Sequence, residues 1–322
     1  MGRYVLRRLA LSVPVLIAAS IVVFVGLTIV GDPLGELRIT PGVDQATIQS
    51  IVERRFLDQP LHIQYLEWVR TIFTEGFGTT VGGNPIWPML RRSMWFTLQL
   101  IVAAEILALI FGILIGVGAA RRQYSFFDYT ATTISFLGYS VPVFWFALIL
   151  QVLATNLFAA TGIRFFYTAG VSSIDPGTGF AFLVDRLQHL VLPILTISFV
   201  SVAAYSRYMR ASMLEVINSN YITTARAKGL SEGQVMRKHA MRNALIPIAT
   251  LAALNFGTVF TGAIVAEVVF GLPGMGTFFI RSLTDREVYS IMAFLMVTSV
   301  VVIFANMLAD LAYGALNPRI RR

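Results

Sequence analysis

Apolar residues in this chain gather into long runs, and the charges collect between them. Leu9–Gly31 carries no charge, and the polar turn Asp32-Pro33 closes it. Ser93–Ala120 is interrupted only by Glu105. Leu187–Ser206, Asn243–Ala266 and Val288–Ala309 are also free of Asp, Glu, Lys and Arg. Runs of about 20 residues match the hydrocarbon core of a bilayer, roughly 30 Å at 1.5 Å per helical residue. Tyr129–Gly162 is longer than one crossing, yet two crossings need roughly 40 apolar residues and a turn. The reading is one helix, Tyr129–Ala154, followed by a shorter re-entrant or surface piece. The pattern therefore predicts an all-α integral membrane protein with six transmembrane helices. Between the first two, Leu61–Phe73 has helical periodicity, with Leu61, Tyr65, Trp68, Val69, Ile72 and Phe73 expected on one side.

Composition agrees. The 322 residues are 56% hydrophobic and only 13% charged, and the mean hydropathy is +0.73. A soluble domain needs more charge to cover its surface. Arg3, Arg7 and Arg8 resemble the start of a signal peptide, but the following apolar run is too long and lacks a small-x-small cleavage site. It reads as a retained first helix. The net charge of +8 does not imply nucleic acid, because no soluble basic domain is visible. Cysteine is absent, which excludes disulfides and thiolate chemistry.

Arg and Lys set the orientation, since cytoplasmic loops of membrane proteins collect them. With the N-terminus inside, the inner segments hold 15 of the 25 basic residues. Both termini are expected in the cytoplasm of a bacterial-type inner membrane. Two segments outside the apolar runs are long. Residues 32–92 form an extracytoplasmic segment that includes Asp32, Glu36, Asp44, Glu53, Asp58, Glu67 and Glu75. Residues 207–246 form a cytoplasmic loop containing both lysines of the chain, Lys228 and Lys238, with Arg226, Arg237 and Arg242.

This loop reads as two short helices. The first spans Tyr221–Lys228 and stops at Gly229, which accepts the left-handed backbone of a helix terminus. The second begins at Ser231, where Ser231 and Gln234 form a capping box. It continues to Leu245, with Val235, Met236, Ala240, Met241 and Ala244 apolar, and Pro247 marks entry to the fifth span. Ala225 and Ala227 leave little side chain, so another surface can approach. Docking to a partner and lying on anionic lipid are both compatible with these residues.

The loop resembles the EAA loop of ABC-importer permeases. Thr223-Thr224-Ala225 stands at the E-A-A position, and Gly229 falls on the Gly of that pattern. The Y-x-x-T-A-R-A-K-G-L run from Tyr221, with R-x-H-A-x-R-N-A-L-x-P from Arg237, is similar to the dipeptide, oligopeptide and nickel branch. Leu57–Trp68 resembles the external segment of its B-type subunit. Glu267–Gly276 resembles its E-x-x-F-x-x-P-G-x-G signature. Asp310–Arg319 resembles its D-x-x-Y-x-x-x-D-P-R ending, with Asn317 in place of Asp. The resemblance implies a type I ABC importer permease fold in a single domain, residues 1–322. It implies that Thr223, Thr224, Ala225, Arg226, Ala227, Lys228, Gly229, Leu230, Arg237, His239 and Arg242 belong to a coupling helix and its surroundings, seated on an ATPase. The implied partners are a C-type permease, two ATPase subunits or domains and an extracytoplasmic binding protein. Dipeptides, oligopeptides, glutathione, haem or a nickel chelate all suit that branch.

Neither lysine sits in G-x-x-x-x-G-K-[ST], so the chain has no P-loop. ATP and Mg are expected on the partner ATPases, with no cofactor in this chain. Charges inside spans are functional candidates. Glu105, Asn255 and Glu267 are the candidate pathway or gate residues. Glu105 has no partner visible in sequence. Glu267 either pairs with Arg281 or Arg286 or serves a gate. Asp310 reads as interfacial, and His189 as a hydrogen-bonded packing residue. His62, His189 and His239 stand apart, without the spacing of a metal site. Asn255 and Asn306 can join helices, and Gly112-x-x-x-Gly116 with Gly118 permits close packing, within the chain or against a partner. A secondary transporter predicts internal repeats and midplane charges. A membrane enzyme predicts clustered catalytic side chains. The sequence shows neither pattern.

Overall fold

The computed structural model describes residues 2–30, 34, 35, 38 and 44–316. The Asp32-Pro33 turn, Glu36, Asn317, Arg319, Arg321 and Arg322 lie outside the described residues, as do the side chains of Arg3, Arg7, Arg8 and Asp310. The long elements are helices: α1 (Gly2–Val30), α2 (Gln45–Arg54), α3 (Leu61–Thr74), α4 (Ile86–Arg121), α5 (Phe126–Ser140), α6 (Val143–Thr161), α7 (Phe180–Ile217), α8 (Asn220–Ala227), α9 (Met241–Val269), α10 (Met275–Thr284) and α11 (Val288–Leu316). Among the described residues, five segments are long and apolar enough to cross a membrane: Ala10–Ile29, Ile86–Arg121, Val143–Thr161, Phe180–Ile217 and Val288–Met307.

The expected helix Tyr129–Ala154 is corrected. The chain breaks at Val141-Pro142, where Val141 caps α5 in an extended conformation and Pro142 caps the start of α6. Proline disfavours helical backbone at the residue before it and has no N–H to continue the ladder. The crossing segment is thus Val143–Thr161, and Gly162 ends it with a φ of 70°. Pro247 is a second correction. It lies inside α9, so the helix does not end at Leu245. The surrounding helix tolerates one missing N–H there, as membrane helices commonly do.

The chain divides into two compact units, Met1–Phe96 with Pro273–Phe304, and Thr97–Leu272 with Ala305–Arg322. In the first unit, α3 matches the expected amphipathic helix but turns a narrower face inward. Gln64 and Trp68 are buried, whereas Leu61 and Phe73 are exposed. Tyr65 bonds Ser20 at 2.7 Å and meets Phe24 edge-on, which ties α3 to α1. Arg55 is buried beside Glu287 (3.5 Å), donates to the carbonyl of Thr79 (2.8 Å) and lies over the Tyr289 ring. Glu287 also accepts from the Val81 N–H at 2.7 Å, so this pair fastens the loop at residues 79–81 to the start of α11. Burial pushes the Glu287 carboxyl above its ordinary range.

In the second unit, α4 and α7 pack without intervening side chains at two glycines. A Cβ at Gly112 would lie 2.5 Å from Tyr205 Cβ, and one at Gly116 would lie 2.6 Å from both Met209 Cβ and the Ser206 carbonyl oxygen. The small-residue motif therefore serves packing within the chain. His189 is buried, bonds the Asp185 carbonyl through Nδ1 at 2.8 Å and stacks on Tyr167, which bears out its packing role.

Candidate functional site

Two constellations of the second unit contain the expected site residues. The first is the loop after α7. Ser219 starts α8, whose Ile222 and Ala225, three residues apart, both point inward. They join Met209 and Met213 of α7, Val235 and Ala240 beyond the turn, and Ala244 of α9 in one buried cluster. Ala225 is consequently not available to a partner, contrary to the expectation from its size. Thr223, Thr224, Arg226, Ala227, Lys228 and Gly229 remain exposed, as do Arg237 and Arg242, and Leu230 is at the edge of exposure.

Local chemistry fixes both ends of this element. Gly229 adopts a φ of +79°, as a helix terminator should. The expected capping box is present, with the Ser231 N–H donating to Gln234 Oε1 at 3.2 Å. Arg226 reaches across the turn and grips Glu232 with two bonds of 2.8 and 3.1 Å. That guanidinium holds the Glu232 carboxyl below its ordinary range. The chain then makes a π-helical turn at Val235–Ala240, containing Arg237, Lys238 and His239, before α9. Asn243 bonds Tyr221 Oη at 3.0 Å and the His239 carbonyl at 3.1 Å, which links the start of α9 back to α8.

The second constellation is a polar network between α4, α7 and α9. Tyr205 donates its hydroxyl hydrogen to Glu105. Asn255 donates to Tyr205 Oη and to Ser201 Oγ, each at 3.1 Å. Glu105 and Asn255 thus meet on one phenol. Glu267 is fully buried and accepts a bond from Thr97, while Arg281 and Arg286 are exposed. Sequence reasoning missed Tyr205, Ser201 and Thr97. Ser201 and Tyr205 are i,i+4 polar groups on one face of an apolar helix, and that spacing was the available signal. It also missed the ion pair between Asp128 and Arg210, whose two bonds measure 2.5 and 2.8 Å.

Residues 112–322 match the family of binding-protein-dependent transport system inner membrane components. The chain is 37% identical to the oligopeptide transport system permease protein AppB of Bacillus subtilis (strain 168), over 99% of each chain. It is 36% identical to the oligopeptide permease protein OppB of Mycobacterium tuberculosis, over 100% of this chain and 99% of that one. It is 33% identical to the dipeptide permease protein DppB of Escherichia coli (strain K12), over 100% and 99%. Among solved structures, the inward-facing MetNI methionine ABC transporter matches with a TM-score of 0.58 at 16% identity, covering 72% of this chain and 98% of that one. That likeness concerns the fold alone.

Proposed function

The chain belongs to the family of binding-protein-dependent transport system inner membrane components, and from that membership we propose that it is the permease subunit of an ATP-driven peptide importer. The permease proteins it resembles over nearly their whole length are named for oligopeptides and dipeptides, so peptides are its cargo. It is a transport subunit and hydrolyses no ATP itself. In this reading α9, 29 residues long and hence about 44 Å, is the sixth span. Both termini are cytoplasmic, and residues 1–322 act as one permease domain with a C-type permease beside it. Two ATPase subunits or domains hold ATP and Mg, and an extracytoplasmic binding protein delivers the peptide.

One observation carries the assignment of the coupling element. The inner face of α8 is anchored in the chain's own core, while its outer face offers small and basic side chains around Ala227 and Lys228. Such an element transmits force only if something seats on the exposed face. Ala227→Trp overfills that face without touching the buried one. In the complete importer in nanodiscs, wild type retains the ATPase subunits and shows hydrolysis stimulated by the binding protein. Ala227→Trp loses retention or stimulation while melting normally. A wild-type chain that retains no ATPase, or an Ala227→Trp importer stimulated like wild type, overturns the assignment.

A further inference from the structure

The second unit holds a cavity of about 180 Å³ whose walls are mostly hydrocarbon: Ile115 of α4, Phe127, Ala131 and Ile134 of α5, and Phe199 and Val202 of α7. Its serines do not make it polar. Ser135 donates to the carbonyl of Ala131 at 2.7 Å, and its Oγ lies 2.8 Å from Ser206 Oγ, whose single hydrogen goes either to Ser135 or to the carbonyl of Ala203 at 3.2 Å. Thr130 adds one more hydroxyl to a lining that is otherwise apolar, and a mostly apolar cavity offers water few partners.

A smaller recess shares Ile115, Ala131, Ser135 and Ser206 with this cavity and is bounded by Arg207 and Arg210. The two cations differ. Arg210 is committed to Asp128 by two bonds. Arg207 lies over the rings of Phe136 and Tyr139, at 5.1 and 5.0 Å. Its Nε is buried and has no acceptor, and no ion pair among the described residues uses it. Aromatic faces stabilise a guanidinium but leave its in-plane N–H donors unused. Arg207 also directly follows the uncharged run Leu187–Ser206, the depth at which hydrocarbon gives way to headgroups.

A cation without an acid among the described residues, beside a mostly apolar slot at that depth, complements a phosphate that carries an acyl chain. We propose that an anionic phospholipid binds here, with its phosphate outside the small recess on the terminal guanidinium nitrogens of Arg207 and one acyl chain in the cavity lined by α4, α5 and α7. The site depends on α7 crossing the membrane and is independent of the cargo.

The test uses the complete importer in detergent, with native mass spectrometry after titration with phosphatidylglycerol or with phosphatidylcholine of the same acyl chains. Wild type is expected to hold one phosphatidylglycerol in preference to phosphatidylcholine. Arg207→Gln lowers that retention about five-fold, the worth of one basic side chain at a membrane surface. Arg54→Gln, an exposed arginine elsewhere, leaves it unchanged. Ala131→Phe fills the acyl slot and lowers retention of both lipids. Equal retention of the two lipids by wild type, equal losses in Arg207→Gln and Arg54→Gln, or unchanged lipid in Ala131→Phe each overturns the proposal. If Arg207→Gln does not fold, the Ala131→Phe result decides.

Discussion

The phenol of Tyr205 donates to the carboxyl of Glu105, and its oxygen accepts from Asn255 at 3.1 Å. Tyr205 is fully buried, so removing its hydroxyl takes the donor from Glu105 and leaves Asn255 with Ser201 alone. Tyr205→Phe is expected to cost about 1–3 kcal/mol, the penalty for buried groups left unsatisfied. Glu105→Gln keeps an acceptor facing the phenol and costs less. The double variant should destabilise by less than the sum of the singles, because both act on one bond. Thermal unfolding of the four proteins in detergent measures the cycle, and strict additivity would show that the phenol bonds the carboxyl no more strongly than the amide that replaces it.

Gly112 and Gly118 separate close helix contact from ordinary glycine content. A methyl at Gly112 meets Tyr205 Cβ at 2.5 Å, an atom fixed to the backbone, whereas at Gly118 it meets the edge of the Phe127 ring at 3.0 Å. Gly112→Ala should therefore lose about 1–3 kcal/mol through overpacking. Gly118→Ala should change much less, since a ring can swing away. The ranking of the two melting temperatures is the measurement.

Asp128 gives a pH signature. The Arg210 guanidinium holds its carboxyl below the ordinary carboxylate range. A depressed folded pKa contributes stability that is present above the unfolded value, near pH 4, and is lost as pH falls through the folded value. Wild type should melt higher than Asp128→Asn at neutral pH, and the gap should narrow only below about pH 4. A gap that closes between pH 7 and 5 would contradict this pair as its source.

Gly229 has open space around its would-be Cβ but a φ of +79°. The cost of Gly229→Ala is thus backbone strain, about 1–2 kcal/mol, rather than a clash. Gly233, with equally open space and no positive φ, should accept alanine without loss. Comparing the two variants by unfolding isolates the dihedral effect.

What the sequence disclosed was local. Gly229 and the Ser231/Gln234 box fix the ends of their helices within a few residues, and both were readable. The Val141-Pro142 break was equally local, but the charge-free run around it masked the proline signal. The inward turn of Ala225 was not readable, because its environment comes from α7 and the residues after the turn. The partner of Glu105 was also hidden, because Tyr205 lies a hundred positions along the chain and chain spacing does not reveal which helices become neighbours.

Ile222 and Ala225 sink into the same cluster as Met213 at the end of α7 and Ala244 at the start of α9. Under the proposed coupling role, a load on the outside of α8 passes through this shared packing to both long helices as torque, and the π-helical turn at Val235–Ala240, with its wider and less regular winding, is the joint that yields first.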